Sequence, residues 1–399
     1  MNYLIKTLNT VVLTAFLSAM GHAGDAPAPV SKDLQEAIEE TNYVETAQPG
    51  IILSGYVDAG YIYNFTAGTM GQRWLGGDGD AHGDFELNQM KLVLEKPLSD
   101  ANELQAGFRA DLMFGEDAAS FTSNASGSPD GDTLYVQQGY VQFRLPIGNG
   151  LDVLFGKHQQ SLGWEAEERP ANINITGGIS ALGDPGGTIG MLAIYPVNDY
   201  VELNFGVNNG SGADDNAGLD ASDDDYAVTG QFTLFAPGGN ASWSNGFNYS
   251  WGGGNISAND DHALILNSLG EWMPQFANDK LLFAYNFTYV FAEDFNPGGS
   301  NDSEYFGIGL YTKYYFTDIF SLGARAEYMH TDDQNIVGLT TTSGSNDLWS
   351  LTGTLGFDLL ENLLIRAEYR VDLGNDVAVD GTNTDDLVHT LASEVTYSF

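Results

Sequence analysis

Leu387-Val-His-Thr-Leu-Ala-Ser-Glu-Val-Thr-Tyr-Ser-Phe399 ends the chain. Leu387, Leu391, Val395, Tyr397 and Phe399 share one parity, with His389 and Ser393 as polar exceptions. Thr390, Glu394, Thr396 and Ser398 share the other, together with Val388 and Ala392. A strand sends successive side chains to opposite faces, so this stretch predicts one apolar and one polar face. A soluble sandwich strand alternates in the same way, but it rarely stops on an aromatic carboxy-terminus.

The other end of the chain sharpens the reading. Met1 to Lys6 carries one positive charge, Leu8 to Met20 is apolar, and Gly21-His22-Ala23 is small-residue rich. This pattern predicts a secretory signal peptide over residues 1–23, too short to span a membrane as a helix. No cysteine is present, which excludes a disulfide framework and a lipidated leading cysteine. Residues 24–50 read as a periplasmic linker with Asp25-Ala-Pro-Ala-Pro29 and a short helix capped by Ser31.

The net charge is −40, and removing residues 1–23 deletes only Lys6 and makes it more negative still. A nucleic-acid partner needs the opposite balance. Disorder does not fit 20 Tyr, 22 Phe and 49 Gly at regular spacing. The acid is therefore expected in loops.

From Ile51 onward the chain repeats segments of about ten alternating residues, the pattern of a transmembrane barrel strand. Strands are predicted at 51–65, 85–96, 103–115, 133–145, 151–159, 187–196, 200–208, 226–235, 241–251, 262–272, 281–291, 304–316, 319–330, 347–358, 363–372 and 386–399. In 281–291, Leu281, Phe283, Tyr285, Phe287, Tyr289 and Phe291 all fall on the lipid-facing parity. Odd-to-even connections are long and acidic. Even-to-odd connections are short, as in Pro146-Ile-Gly-Asn-Gly150 and Ala236-Pro-Gly-Gly-Asn240. Long loops strictly alternating with tight turns predict an all-β, antiparallel up-and-down barrel over 51–399 with about sixteen strands (14–18). Backbone polar groups in lipid must all pair, so the first strand should meet the last. About sixteen strands enclose water, which makes a diffusion channel the expected function.

The longest connection, 160–186, is the third loop. Folded inward, it would place Glu165, Glu167, Glu168 and Arg169 at a pore constriction; left outside, it would cover the mouth. Lys91, Arg109, Arg144, Lys157, Lys313, Arg325, Arg366 and Arg370 fall on strands. A charge on the lipid face costs about 2–4 kcal/mol at mid-membrane, so these residues are expected to line the lumen as a basic wall. Facing acidic loop residues, that wall would set a transverse field. Alternatively, the bases pair with neighbours such as Asp111, Glu327 and Glu368.

Asp78-Gly-Asp-Ala-His-Gly-Asp84 starts like a calcium loop, but position twelve is Gln89 rather than Glu. Non-specific divalent bridging between acidic loops and lipopolysaccharide is the more economical reading, and no cofactor is expected. Trp164, Trp243, Trp251, Trp272 and Trp349 fit interfacial girdles better than a sugar-stacking slide. His82, His158, His262, His330 and His389 show no metal-ligand spacing, and no catalytic constellation stands out.

Gly55-Tyr-Val-Asp-Ala-Gly-Tyr-Ile-Tyr-Asn-Phe65, Phe85 to Pro97, Tyr140 to Pro146, Leu154-Phe-Gly-Lys157 and Gly187 to Tyr195 resemble the OmpL-like β-barrel porin family. The ending resembles the closing strand of bacterial outer-membrane barrels, which implies an assembly signal at Tyr397 and Phe399 read by the barrel-assembly machinery. The resemblance implies an outer-membrane porin of a Gram-negative bacterium for ions and small hydrophilic solutes. The other partners expected are outer-membrane lipids and a second and third copy in a homotrimer. A carbohydrate-selective channel and a non-conducting adhesin are the alternatives.

Overall fold

The computed structural model describes residues 50–65, 82–118, 121, 134–209, 226–251, 262–278, 280–293, 302–332, 346–374 and 387–399. The expected leader, nearly all of the linker 24–50 and the acidic runs 76–81 and 214–225 lie outside the described residues.

Sixteen strands follow one another in chain order. They are β1 (Ile52–Asn64), β2 (His82–Lys96), β3 (Gln105–Phe114), β4 (Leu134–Leu145), β5 (Leu151–Gln159), β6 (Gly187–Asn198), β7 (Val201–Asn209) and β8 (Tyr226–Phe235). The second half comprises β9 (Ala241–Trp251), β10 (Ala263–Trp272), β11 (Leu281–Ala292), β12 (Ser303–Tyr315), β13 (Phe320–Thr331), β14 (Asn346–Leu360), β15 (Leu363–Gly374) and β16 (Leu387–Ser398). Each pairs antiparallel with its sequence neighbours, and β1 pairs with β16, closing the barrel. Tyr56 lies opposite Ser398 and Asn64 opposite Thr390. The closure continues to the last residue, where Gly55 and Phe399 exchange backbone hydrogen bonds of 3.0 and 2.9 Å. Closure leaves no strand edge, the condition for a sheet in hydrocarbon.

Alternation sets the faces. In β7, Leu203, Phe205 and Val207 are exposed outward while Glu202, Asn204 and Asn208 are buried inward. In β11, Asn286 and Thr288 point inward from between the outward aromatic rings. Strand ends depart from the alternation pattern where backbone pairing continues without it. β2 begins at His82, opposite Tyr63, and β14 runs on to Leu360, opposite Leu363. The tight turn between β8 and β9 uses Gly238 and Gly239 at φ +96° and +70°, a region closed to most side chains.

The apolar core inside the barrel is not made by strands alone. Ile179, from the connection between β5 and β6, packs with Ile265, Val290, Tyr305, Met329, Leu348 and Val388. Trp164 and Ile173 of the same connection pack with Ala284 and Tyr311. The longest described loop therefore fills space inside the wall.

Candidate functional site

Loop 160–186 runs across the lumen and touches nearly every part of the wall. Two short 3-10 turns stiffen it, Arg169–Ala171 started by Pro170, and Ile179–Ala181. Its seat is open because inward positions on β12 and β13 are glycine. A Cβ on Gly309 would stand 2.5 Å from Ser180 Oγ, and one on Gly323 2.5 Å from Ile173. Larger residues there would exclude the loop.

On the side formed by β13 to β16, charged groups hold the loop. Arg325 Nη1 donates to Glu165 Oε1 at 2.6 Å and to the Thr176 carbonyl at 2.7 Å. Arg325 Nε lies 2.8 Å from Glu327 Oε2. Arg366 Nη2 donates to the Arg169 carbonyl at 2.8 Å, and Arg366 Nε pairs with Glu394 at 2.6 Å. Arg370 Nη1 donates to the Gly177 carbonyl at 2.6 Å, and its Nε reaches Asp372 at 2.9 Å. Carboxylates complete the seat from the same wall. Glu368 accepts the Ile175 and Thr176 amides at 2.6 and 3.0 Å, and Glu327 accepts the Ser180 amide at 3.0 Å. Each of these bonds involves an ionised group, the stronger class of hydrogen bond.

Near β2 to β5 the loop is held by its own charges. Lys91 pairs with Glu168 and lies 2.9 Å from Asp111. Arg169 donates to both oxygens of Asp117 at 2.8 and 2.7 Å. Glu167 Oε2 accepts from Gln137 at 2.8 Å and Gln159 at 2.7 Å. Burial and then Glu168 push the Glu167 carboxyl up to about 7. Glu168 is half-buried, but Lys91 outweighs the desolvation and holds it below the usual carboxylate range.

On the side of β7 to β11 the attachments are neutral side chains. Gln231 donates to the Ser161 carbonyl at 2.6 Å, and Asn248 donates to Gln160 at 2.9 Å. Asn286 donates to Asp184 at 2.9 Å, and Thr288 also donates to it. Burial raises the Asp184 carboxyl to about 7, with Glu165 adding in the same direction.

The geometry corrects the expected field. Glu165 and Arg325 are in contact rather than on opposite sides of an open gap, and Arg169, grouped with the loop acids, pairs with Asp117 of the preceding connection. Arg366 takes Glu394 as its carboxylate, while Glu368 caps loop amides. The remaining bases lie away from this seat or beside it. Arg109 pairs with Glu95 and Asp111, and Arg144 with Asp152 next to the turn after β4. Lys157 stands 4.6 Å from the Tyr135 ring centre, and Lys313 4.9 Å from that of Tyr315. Tyr397 and Phe399 are exposed at the barrel seam. Trp243, Trp251, Trp272 and Trp349 face outward, and Trp164 is packed under the loop. Among the described residues no cluster of His, Cys, Asp or Glu could hold a metal ion.

Sequence reasoning passed over Asp117, Asp184, Gln137, Gln159 and the glycines of β12. The one available signal was glycine at inward parity in Gly307-Ile-Gly309, between the inward rings of Tyr305 and Tyr311.

The family model described as "Putative beta-barrel porin-2, OmpL-like" matches residues 50–399. The chain belongs to this porin family. Like the family's barrels it is placed in the outer membrane of Gram-negative bacteria. No curated protein matches it in sequence. Among solved structures, this porin is similar to the outer-membrane channel DcaP of Acinetobacter baumannii, with TM-score 0.61, 14% identity, and 88% and 97% of the two chains covered. OmpF of Salmonella typhi, solved in complex with daunomycin, superposes with TM-score 0.61 at 10% identity, covering 88% and 97%. A trimer form of Vibrio cholerae OmpT gives 0.55 at 13% identity, covering 88% and 99%. At these identities the likeness is one of fold.

Proposed function

We propose that this porin passes ions and small hydrophilic solutes by passive diffusion, with loop 160–186 as the constriction. The observation that carries this reading is the loop seated within a closed sixteen-strand wall whose inward residues are largely polar, with apolar patches where the loop packs. A barrel of this strand number is wide enough to hold water, and an inward loop narrows it. Glu165, Glu167, Glu168 and Arg169 then act as seat and lining together. The chain needs no catalytic step and no cofactor for this task. A homotrimer fits the relatives of this fold, and the exposed Tyr397 and Phe399 fit an assembly signal. The aromatic slide of a sugar channel gains no support, because four of the tryptophans face outward and Trp164 is packed.

The full chain, refolded and shown to be folded by heat-modifiable electrophoretic mobility, should give ohmic single-channel steps in planar bilayers. A folded barrel without conductance would overturn the reading in favour of a structural protein or adhesin.

A further inference from the structure

We propose that the lumen selects cations, and that the field responsible arises mainly from the β7–β11 wall. The inference rests on the porin reading above.

Basic side chains on the β13–β16 wall and on β2 and β3 are paired with carboxylates. Arg325 touches two carboxylates, Glu165 and Glu327. Lys91 and Arg109 together face Asp111, Glu95 and Glu168. The guanidiniums of Arg366 and Arg370 are engaged by a carboxylate and by loop carbonyls at once. The charged wall is therefore internally compensated, or slightly acidic, and projects little positive potential. Compensated pairs act as dipoles whose field falls off faster than that of a lone charge.

The opposite wall, β7 to β11, differs. Glu202 and Glu271 point inward there, and among the described residues neither makes an ion pair. Ser242 meets Glu271 at 3.4 Å, and Asn204 hydrogen-bonds Glu202. Among the described residues the Asp184 carboxylate is held by the neutral side chains of Asn286, Asn267 and Thr288. Burial without a cation favours the neutral acid, so these carboxyls carry their charge in alkaline solution, and there a lone carboxylate in a narrow, low-dielectric wall is screened far less than one on an open surface.

Neutral amides of the same wall act independently of its carboxylates. Asn204 and Asn248 are 6% and 1% exposed, and each uses its amide nitrogen, on Gln231 and Gln160 respectively. Their carbonyl oxygens have no hydrogen-bond partner. Asn208 of the same wall leaves both ends of its amide unpartnered, so the carbonyls of Asn204 and Asn248 tip the balance of free dipoles toward their negative ends. Carbonyl dipoles and acidic side chains are the groups that favour cations in channels.

The test is the reversal potential of the refolded full chain in a planar bilayer under a tenfold KCl gradient at about pH 10, where buried carboxyls are ionised. The wild type should prefer K⁺ to Cl⁻. Glu202→Gln with Glu271→Gln should lower that permeability ratio at least twofold, while single-channel conductance at high salt changes little. Gln keeps the size and hydrogen bonding of Glu, and heat-modifiable mobility checks that the variant has folded. Preference for Cl⁻ would overturn the proposal. So would a K⁺ preference that survives the double substitution, since it would place the field in the loops at the mouth. A folded barrel with no current overturns the open pore itself, a result distinct from wrong selectivity.

Discussion

The two halves of the inner wall hold the same loop by different means. From β13 to β16, Arg325, Glu327, Arg366, Glu368 and Arg370 grip backbone carbonyls and amides of residues 169–180. From β8 to β11, Gln231, Asn248, Asn286 and Thr288 hold its two ends. Ionised groups bonded to backbone fix position strongly, but once so engaged they contribute little to the field in the channel. Amides and hydroxyls fix position weakly and leave neighbouring carboxylates uncompensated. The wall that anchors the loop is thus not the wall that sorts the solute.

The largest effect should follow from breaking the strong anchor. Arg325→Met leaves Glu165 and Glu327 buried beside an apolar chain, and stranding a buried charge costs about 3–5 kcal/mol. The loop should detach on that side, raising single-channel conductance and open-channel noise and lowering the thermal midpoint. Unchanged conductance would mean that the loop does not limit the current.

Overfilling the seat is a milder way to the same end. Gly309→Leu drives a side chain into Ser180, and overpacking typically costs about 1–3 kcal/mol. A Glu-specific protease added to the folded barrel should then cut at Glu165, Glu167 or Glu168, where the wild type resists. Equal resistance would show that β12 can shift to accommodate the added side chain without releasing the loop.

How much of this was legible in the chain follows from the same physics. Alternation located every strand to within a few residues, because burial of one face repeats along each strand and needs no distant partner. The cost of charge in lipid turned Arg325, Arg366 and Arg370 inward for the same local reason. What those residues touch was not legible. Arg325 and Glu165 are separated by 160 positions, and only barrel closure and the path of the loop bring them together. Asp184 sits in Leu182-Gly-Asp-Pro-Gly186, which reads as a turn. Its role emerges only when Asn286 and Thr288 face it from β11. Asp117 lay in a connection read as an acidic loop, yet residues 116–118 turn inward as a short helical segment to meet Arg169.

The smallest expected effect is the one that separates the two walls most cleanly, because it adds charge without removing an anchor. Asp184 and Glu167 both have carboxyls raised to about 7, chiefly by burial. Asp184 is faced by Asn267 of β10, Asn286 and Thr288 of β11, Tyr305 of β12, and Glu165 of the loop. Glu167 is faced by Tyr135 and Gln137 of β4, Lys157 and Gln159 of β5, and its neighbour Glu168. Below about pH 7 these carboxyls hold their protons and are neutral, and above it they are ionised. Raising the pH from about 5 to about 9 therefore makes the lumen more negative, and K⁺ should carry a growing share of the current. Among the described residues Lys157 of β5 is the base that faces Glu167. Asp184→Asn should flatten the pH dependence at the β7–β11 wall, and Glu167→Gln should flatten it near β4 and β5. Should Glu167→Gln remove all of it, the titrating field would lie beside the charged wall, and the division of labour between the two walls would be wrong. Should Asp184→Asn remove most of it, the neutral-sided wall controls selectivity even though it contributes least to holding the loop.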